Sequence, residues 1–321
     1  MHIPFAIPLT LCAFAAACGA HAQDYPNRPL RLVVPTAASG TQDVNARILA
    51  KLLTSQMGQQ IIVDNRGGAN GIIGADISAK AAPDGYSLMY TGAAFLVNQS
   101  IYKSVPYDVG RDFAPVTNVA VSSGNLLLIN PSVQAHSVRE LIELAKTTQL
   151  SYGSAGIGNP THLICDAFNA RAGTRMLHVP YKGTGPALTA LFGNEVQVLF
   201  IPPSVAIAHV KAGRLRALGF TGAKRPKSMP DVPTIAESGL PGFQMDAGWH
   251  AIFAPAKTPA AIIDKLHREV RSALQAPNLR DFLLAADYEP AGDPPAEFQK
   301  IFRADIKRWA EVVRLAGIKA E

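Results

Sequence analysis

Two short segments carry the residue types that bind anions, Thr36-Ala37-Ala38-Ser39-Gly40-Thr41 and Ser154-Ala155-Gly156-Ile157-Gly158-Asn159. Each follows an apolar run that reads as a strand and precedes a stretch that reads as a helix. Small side chains leave backbone N–H groups uncovered there, and a helix N-terminus adds free donors and the positive end of its dipole. Two such loops facing each other form a carboxylate site. One dipole offers about 0.3 to 2 kcal/mol, whereas micromolar affinity takes about 8 kcal/mol. Direct hydrogen bonds, bridging waters and water exclusion must supply the remainder. The same residue types also make turns and N-caps in proteins that bind nothing at such loops. The candidate ligand-binding residues are Thr36, Ala38, Ser39, Gly40, Thr41, Ser154, Ala155, Gly156, Gly158, Asn159 and His162. A bulky residue at Ser39 or Ser154 is predicted to block binding without unfolding the chain.

Other chemistries are less well provided for. Gly68, Gly71 and Gly74 do not have the spacing of Gly-x-Gly-x-x-Gly, and no acidic residue is placed to meet a ribose, so they read as a tight turn and close helix packing. The sequence holds no Gly-x-x-x-x-Gly-Lys-Ser/Thr phosphate loop. Ser154 is the best nucleophile, with His162 as its conceivable base, but Tyr152 stands where a Gly-x-Ser-x-Gly elbow needs glycine. His162 and Cys165 could share a helix face, yet the other ligands of a structural zinc site are missing. Cys165 reads as a buried residue and Lys182 as a solvated one beside a turn. No catalytic residue, metal or cofactor is expected, and the chain is not read as an enzyme.

The elements that must hold these loops recur from Pro29 onward as a short β-branched run, a Gly- or Pro-containing turn and a helical stretch, the pattern of parallel α/β units. In the first part, strands are expected from Leu30 to Pro35, Gln60 to Asp64 and Tyr86 to Thr91, with helices from Gln42 to Met57 and Ile73 to Ala81. Pro83-Asp84-Gly85 is a turn, and Pro106 to Val116 reads as an irregular connection. Gly124 to Ile129 reads as a strand leading into a second lobe. That lobe has expected helices at Ser137 to Thr147, Thr161 to Ala172, Thr184 to Phe192 and Val205 to Ala212. Its strands are expected at Leu150 to Gly153, His178 to Pro180, Val196 to Ile201 and Leu215 to Thr221. Pro-rich punctuation from Pro226 to Pro241 precedes a return crossing at Phe243 to Ala254. Two amphipathic helices, Pro259 to Gln275 and Pro294 to Ala316, are expected to cover the first lobe.

The chain has 321 residues, 48% hydrophobic and 17% charged, which suits two lobes rather than one core. Ile3 to Ala22 holds no Lys, Arg, Asp or Glu and ends in Ala20-His21-Ala22, a pattern that signal peptidase accepts. A leader cleaved after Ala22 is expected. A membrane anchor, or lipidation at Cys18, is the lesser reading. Cys12 and Cys18 fall in that leader, leaving Cys165 alone, so no internal disulfide is expected. A formal charge of +6 attracts anions at long range. Nucleic acid is disfavoured because Lys and Arg are scattered, without a basic run interleaved with aromatics.

These residues fall into a pattern spanning nearly the whole mature chain: Tyr25-Pro26-Asn27-Arg28-Pro29 with Val33-Val34-Pro35, Gly67 to Ala75, Pro83-Asp84-Gly85-Tyr86, Tyr107-Asp108 with Asp112-Phe113, and His178-Val179-Pro180-Tyr181-Lys182-Gly183. Gly213-Arg214-Leu215-Arg216-Ala217-Leu218, Pro230-Asp231-Val232-Pro233-Thr234 with Glu237, and Trp309 continue it. The pattern resembles the tripartite tricarboxylate transporter substrate-binding proteins, the Bug or TctC family. The resemblance implies an α/β, two-lobed periplasmic-binding-protein (type II-like) architecture with a two-strand hinge and a ligand cleft between lobes. The leader would be residues 1–22, the first lobe 23–122 with 246–321, and the second lobe 123–245. It also implies a monomeric periplasmic receptor that holds a small carboxylate in Thr36 to Asp43 and Ser154 to His162, partly through water, with Asp43 bracing its helix. The partner would be membrane permease subunits of a tripartite tricarboxylate transporter, or alternatively a sensor protein. Many relatives read Pro-Phe-Ala-Pro-Gly-Gly where this chain has Pro35-Thr36-Ala37-Ala38-Ser39-Gly40, implying a smaller or more polar ligand on that side. Ile201 stands where many place Asp, which argues against an amino acid ligand.

Overall fold

A computed structural model describes residues 25–246 and 248–316. The expected leader, with Cys12 and Cys18, lies outside the described residues. The first strand, β1 (Leu30–Val34), is almost wholly apolar and is buried between two parallel neighbours. Helix α1 (Thr41–Met57) follows and ends where Gly58 takes a left-handed φ of 67°. Next come β2 (Ile61–Asn65), α2 (Ile72–Ala79), β3 (Ser87–Gly92), α3 (Ala94–Ile101), the single turn α4 (Val109–Asp112) and β4 (Phe113–Ser122). The chain then forms β5 (Leu126–Ile129), α5 (Val138–Thr147), β6 (Ser151–Ser154), α6 (Pro160–Ala172), β7 (Leu177–Pro180), α7 (Thr184–Phe192), β8 (Val198–Ile201), α8 (Pro203–Lys211), β9 (Arg216–Phe220) and the short α9 (Ile235–Ser238). It closes with β10 (Trp249–Pro255), α10 (Ala260–Ala273), α11 (Pro277–Ala285), β11 (Tyr288–Pro290) and α12 (Pro295–Ala316).

The strands form two sheets, ordered β11-β4-β10-β3-β1-β2 and β7-β6-β8-β5-β9. Within each sheet the strands that follow the candidate loops' pattern pair in parallel, while β10 and β4, and β5, run antiparallel to their neighbours. The chain passes from the first sheet to the second between β4 and β5 and returns between β9 and β10. At the crossings Thr221 ties the two passages together. Its N–H donates to Asn125 O at 2.9 Å, its hydroxyl accepts the Asn125 N–H at 2.9 Å, and its carbonyl accepts the Met245 N–H at 2.9 Å.

Two expectations change. The segment read as irregular contains a strand from Phe113 onward. Pro115 disguised it, and a register shift between Ile252 and Phe253 accommodates that proline. Helices α3 and α11 and strand β11 were not anticipated. In α3, Phe95, Leu96, Val97 and Asn98 are consecutive buried residues, and such a run has no helical period to read. The last helix does cover the first sheet, through Phe298, Phe302 and Trp309 in a cluster with Phe95, Trp249 and Phe253. Leu163 of α6 and Ile157 join that same cluster, so the second sheet's loop end is packed against the first body.

Candidate functional site

The first loop leaves β1 and enters α1. Ala37, Ala38 and Ser39 are exposed, and Gly40 occupies the N-cap in an extended conformation with no side-chain cap on the helix N–H groups. Asp43, 3% exposed, turns back to accept the Ser39 N–H at 2.9 Å and pairs with Arg47 at 2.9 Å. Burial alone would raise its pKa, but Arg47 and the Ser39 N–H hold the carboxyl below its ordinary value. Asp43 therefore braces the helix start and sets Ser39 at a φ of 67°. The hydroxyl of Thr36 and the amide oxygen of Gln42 are buried without a hydrogen-bond partner among the described residues. The glycine segment backs this loop. A methyl on Gly67 would lie 3.1 Å from Ala37 N, and one on Gly74 would lie 2.8 Å from Pro35 Cα. The reading of these glycines as a turn and a close packing site stands.

The second loop is built differently, because most of its donors are already committed. The Ala155 N–H donates to Thr161 Oγ1 at 3.0 Å, the Gly156 N–H to Ser154 Oγ at 3.2 Å, and the Gly158 N–H to His162 Nδ1 at 3.0 Å. The Asn159 N–H bonds Gly156 O at 3.1 Å, and its side chain caps α6 by accepting the Thr161 N–H at 3.1 Å. Ser154 is fully buried. The expectation of uncovered backbone donors thus fits the first loop better than the second. A bulky residue at Ser154 would disrupt the interior and not merely block a cleft.

Beneath the second loop lies a polar group that local spacing did not reveal. The rings of His162 and His178 stack at 3.8 Å between centroids, and Tyr152 stacks on His178 at 4.8 Å. Asp166 accepts the Tyr152 hydroxyl at 2.5 Å and meets His162 Nε2 at 3.1 Å. Since His162 Nδ1 accepts from Gly158, its proton sits on Nε2, facing Asp166. Burial first, then His162, pushes His178 down to about 4, so it is neutral at ordinary pH. Burial would raise Asp166, but His162 and Tyr152 bring it below its ordinary value. Ser154 Oγ lies 2.6 Å from His178 Nε2 and is not among the partners of His162. Asp166 bonds His162 and Tyr152, and among the described residues no carboxylate bonds His178 as one bonds the histidine of a hydrolase triad. His178 was visible only as part of a longer motif; in the fold it stands opposite Tyr152 in the parallel register of β6 and β7.

The second loop meets the other lobe at Asn70 of the glycine segment and at Ile101 of α3. A methyl on Gly156 would point to Asn70 Oδ1 at 4.0 Å, and one on Gly158 would strike Ile101 of the other lobe. Asn70 is itself fixed, donating to Asn98 Oδ1 at 2.8 Å. Among the described residues no cluster of three His, Cys, Asp or Glu is placed to hold a metal, and no helix is long and apolar enough to cross a membrane.

Comparison with known proteins gives one consistent result. Residues 45–318 match the family described as the tripartite tricarboxylate transporter family receptor. Protein BugT of Bordetella pertussis is 34% identical over 317 residues, 98% of this chain and 97% of that protein. An R. palustris protein solved with adipate superposes with a TM-score of 0.87 at 34% identity, covering 92% of this chain and 99% of its own. MatC from Rhodopseudomonas palustris with bound malate gives a TM-score of 0.82 at 29% identity, covering 90% of this chain and 100% of its own.

Proposed function

Because this chain belongs to the tripartite tricarboxylate transporter receptor family, we propose that it captures a small carboxylate in the cleft between its lobes and delivers it to the permease subunits of such a transporter. The observation that carries the reading is the uncapped start of α1 behind exposed Ala37, Ala38 and Ser39, backed by the glycine segment whose Asn70 the second loop approaches. An α-helix N-terminus with free N–H groups favours an anion. The relatives solved with adipate and malate support a carboxylate as that anion.

In this reading Thr36, Ala38, Ser39, Gly40 and Thr41 form the principal contact surface. Ala155, Gly156, Gly158 and Asn159 close over the ligand, and Ser154 and His162 act by shaping the second loop. The division at residues 122/123 and 245/246 makes the passages beside Thr221 the hinge. Export through residues 1–22 would place the receptor in the periplasm, where a monomer meets its permease.

Ala38→Trp tests the site. Ala38 is exposed, so the fold should tolerate the ring, while the cleft mouth should not. Calorimetric titration with malate and adipate is expected to show at least about a tenfold loss of affinity, about 1.4 kcal/mol, with the melting temperature unchanged. Full affinity in the variant would move the ligand away from the first loop.

A further inference from the structure

We propose that His178 is a positioning residue of the carboxylate site, holding the Gly156 peptide in place through the hydroxyl of Ser154. The inference rests on the receptor reading above. A serine hydroxyl has one proton and two acceptor sites. In Ser154 these meet His178 Nε2 at 2.6 Å and the Gly156 N–H at 3.2 Å, and among the described residues the one further partner within reach is Gly156 O, also at 3.2 Å. Without His178 the hydroxyl proton is free to turn to Gly156 O, and the tie from the stacked rings to Gly156 is lost. Gly156 has a φ of 136°, in a region that L side chains rarely adopt, so its conformation depends on such external ties. Its peptide is also where the second loop approaches Asn70 of the first lobe.

His178 is suited to the task because stacking restrains its ring. Its ring lies against Tyr152 and His162, both of which are anchored by Asp166. The two histidines thus divide the loop. His162 takes the Gly158 N–H directly, and His178 takes Gly156 through a serine. Packing alone would be met by any flat ring at position 178, whereas positioning requires the atom at Nε2.

That difference defines the experiment. The purified protein is titrated calorimetrically with malate and with adipate as wild type, His178→Phe, His178→Gln, Ser154→Ala and the His178→Phe/Ser154→Ala double variant, with melting curves recorded for each. Phenylalanine keeps the stacked ring and removes Nε2; glutamine carries a side-chain amide toward the Nε2 position. His178→Phe and Ser154→Ala are each expected to weaken binding about tenfold, and the double variant by about the same factor, because both cut one chain of contacts. His178→Gln is expected to remain within about threefold of wild type. Wild-type affinity in His178→Phe, or losses that multiply in the double variant, would overturn the assignment while leaving the receptor reading intact. Failure of the wild type to bind malate, adipate or any further mono-, di- or tricarboxylate titrated in the same way would remove both.

Discussion

At the scale of single residues, the buried histidines make a statement about acid stability. His250 is buried against Asn45, with Asn45 Nδ2 and His250 Nδ1 3.1 Å apart, and burial pushes its pKa down to about 4. His178 is pushed to about 4 as well, though it is only half-buried and solvent moderates its share. An unfolded histidine titrates near about 6.5, so between that pH and about 4 the unfolded chain binds more protons than the folded one. Stability is therefore full above pH 6.5 and falls as pH drops through this window, by up to about 1.4 kcal/mol per pH unit for each fully buried group. Asp43 and Asp166, both held below their ordinary values, extend the loss to still lower pH. Urea melts at pH 7.5 and 5.0 should show a clearly lower midpoint at pH 5.0, and His250→Gln should flatten the dependence. An identical midpoint at both pH values would contradict the burial of these rings in a neutral state. None of this was legible from sequence, where His250 is one histidine in an apolar run and His178 one letter of a motif. Their partners, Asn45 and Ser154, lie 205 and 24 residues away.

At the scale of elements, the strand–loop–helix units were readable because β-branched runs, punctuating glycines and helical periodicity agree with one another. Helix α7 falls on the expected span from Thr184 to Phe192, and α5 begins after its expected Ser137, whose side chain accepts the Glu140 N–H. What failed had a physical cause. Pro115 argued against a strand that a bulge accommodates, and α3 is buried on too many sides to show a stripe. The donors of the second loop were invisible for a related reason, since Thr161, His162 and Ser154 satisfy them only once α6 and β6 are in place. Packing of α2 offers a test at this scale. Gly74 lets the helix lie on Pro35, with a methyl there 2.7 Å from Arg66 O and 2.8 Å from Pro35 Cα. Gly74→Ala should cost about 1 to 3 kcal/mol through this overpacking and should weaken carboxylate binding by displacing the loop after β1. Unchanged stability in chemical denaturation would mean that α2 does not set the position of that loop.

At the scale of the whole molecule, the two sheets are joined at the crossings and also touch at their loop ends. Beside the crossings, Asp287 receives the N–H groups of Lys227 and Ser228 and the Ser228 hydroxyl, and Lys227 pairs with Glu289 at 2.5 Å. At the far side, Ile157 and Leu163 enter the cluster beneath α12. The lobes thus meet at a polar edge beside the crossings and at an apolar edge beneath α12, and in the proposed function they close around a bound molecule. A charge of +6 suits an anionic one. The architecture was legible in the sequence as two runs of α/β units, and the family pattern added the cleft; the contacts that hold the edges together come from residues far apart in the chain and carried no local signal.

Closure of the cleft on a carboxylate is read by thermal melting of the purified protein against mono-, di- and tricarboxylates, amino acids and neutral sugars. A ligand that binds only the folded state at one hundred times its Kd adds about 2.7 kcal/mol, so one carboxylate class is expected to raise the melting temperature by several degrees while sugars leave it unchanged. A rise with a neutral sugar or an amino acid, and none with any organic acid, would show that the protein is not a receptor for organic acids.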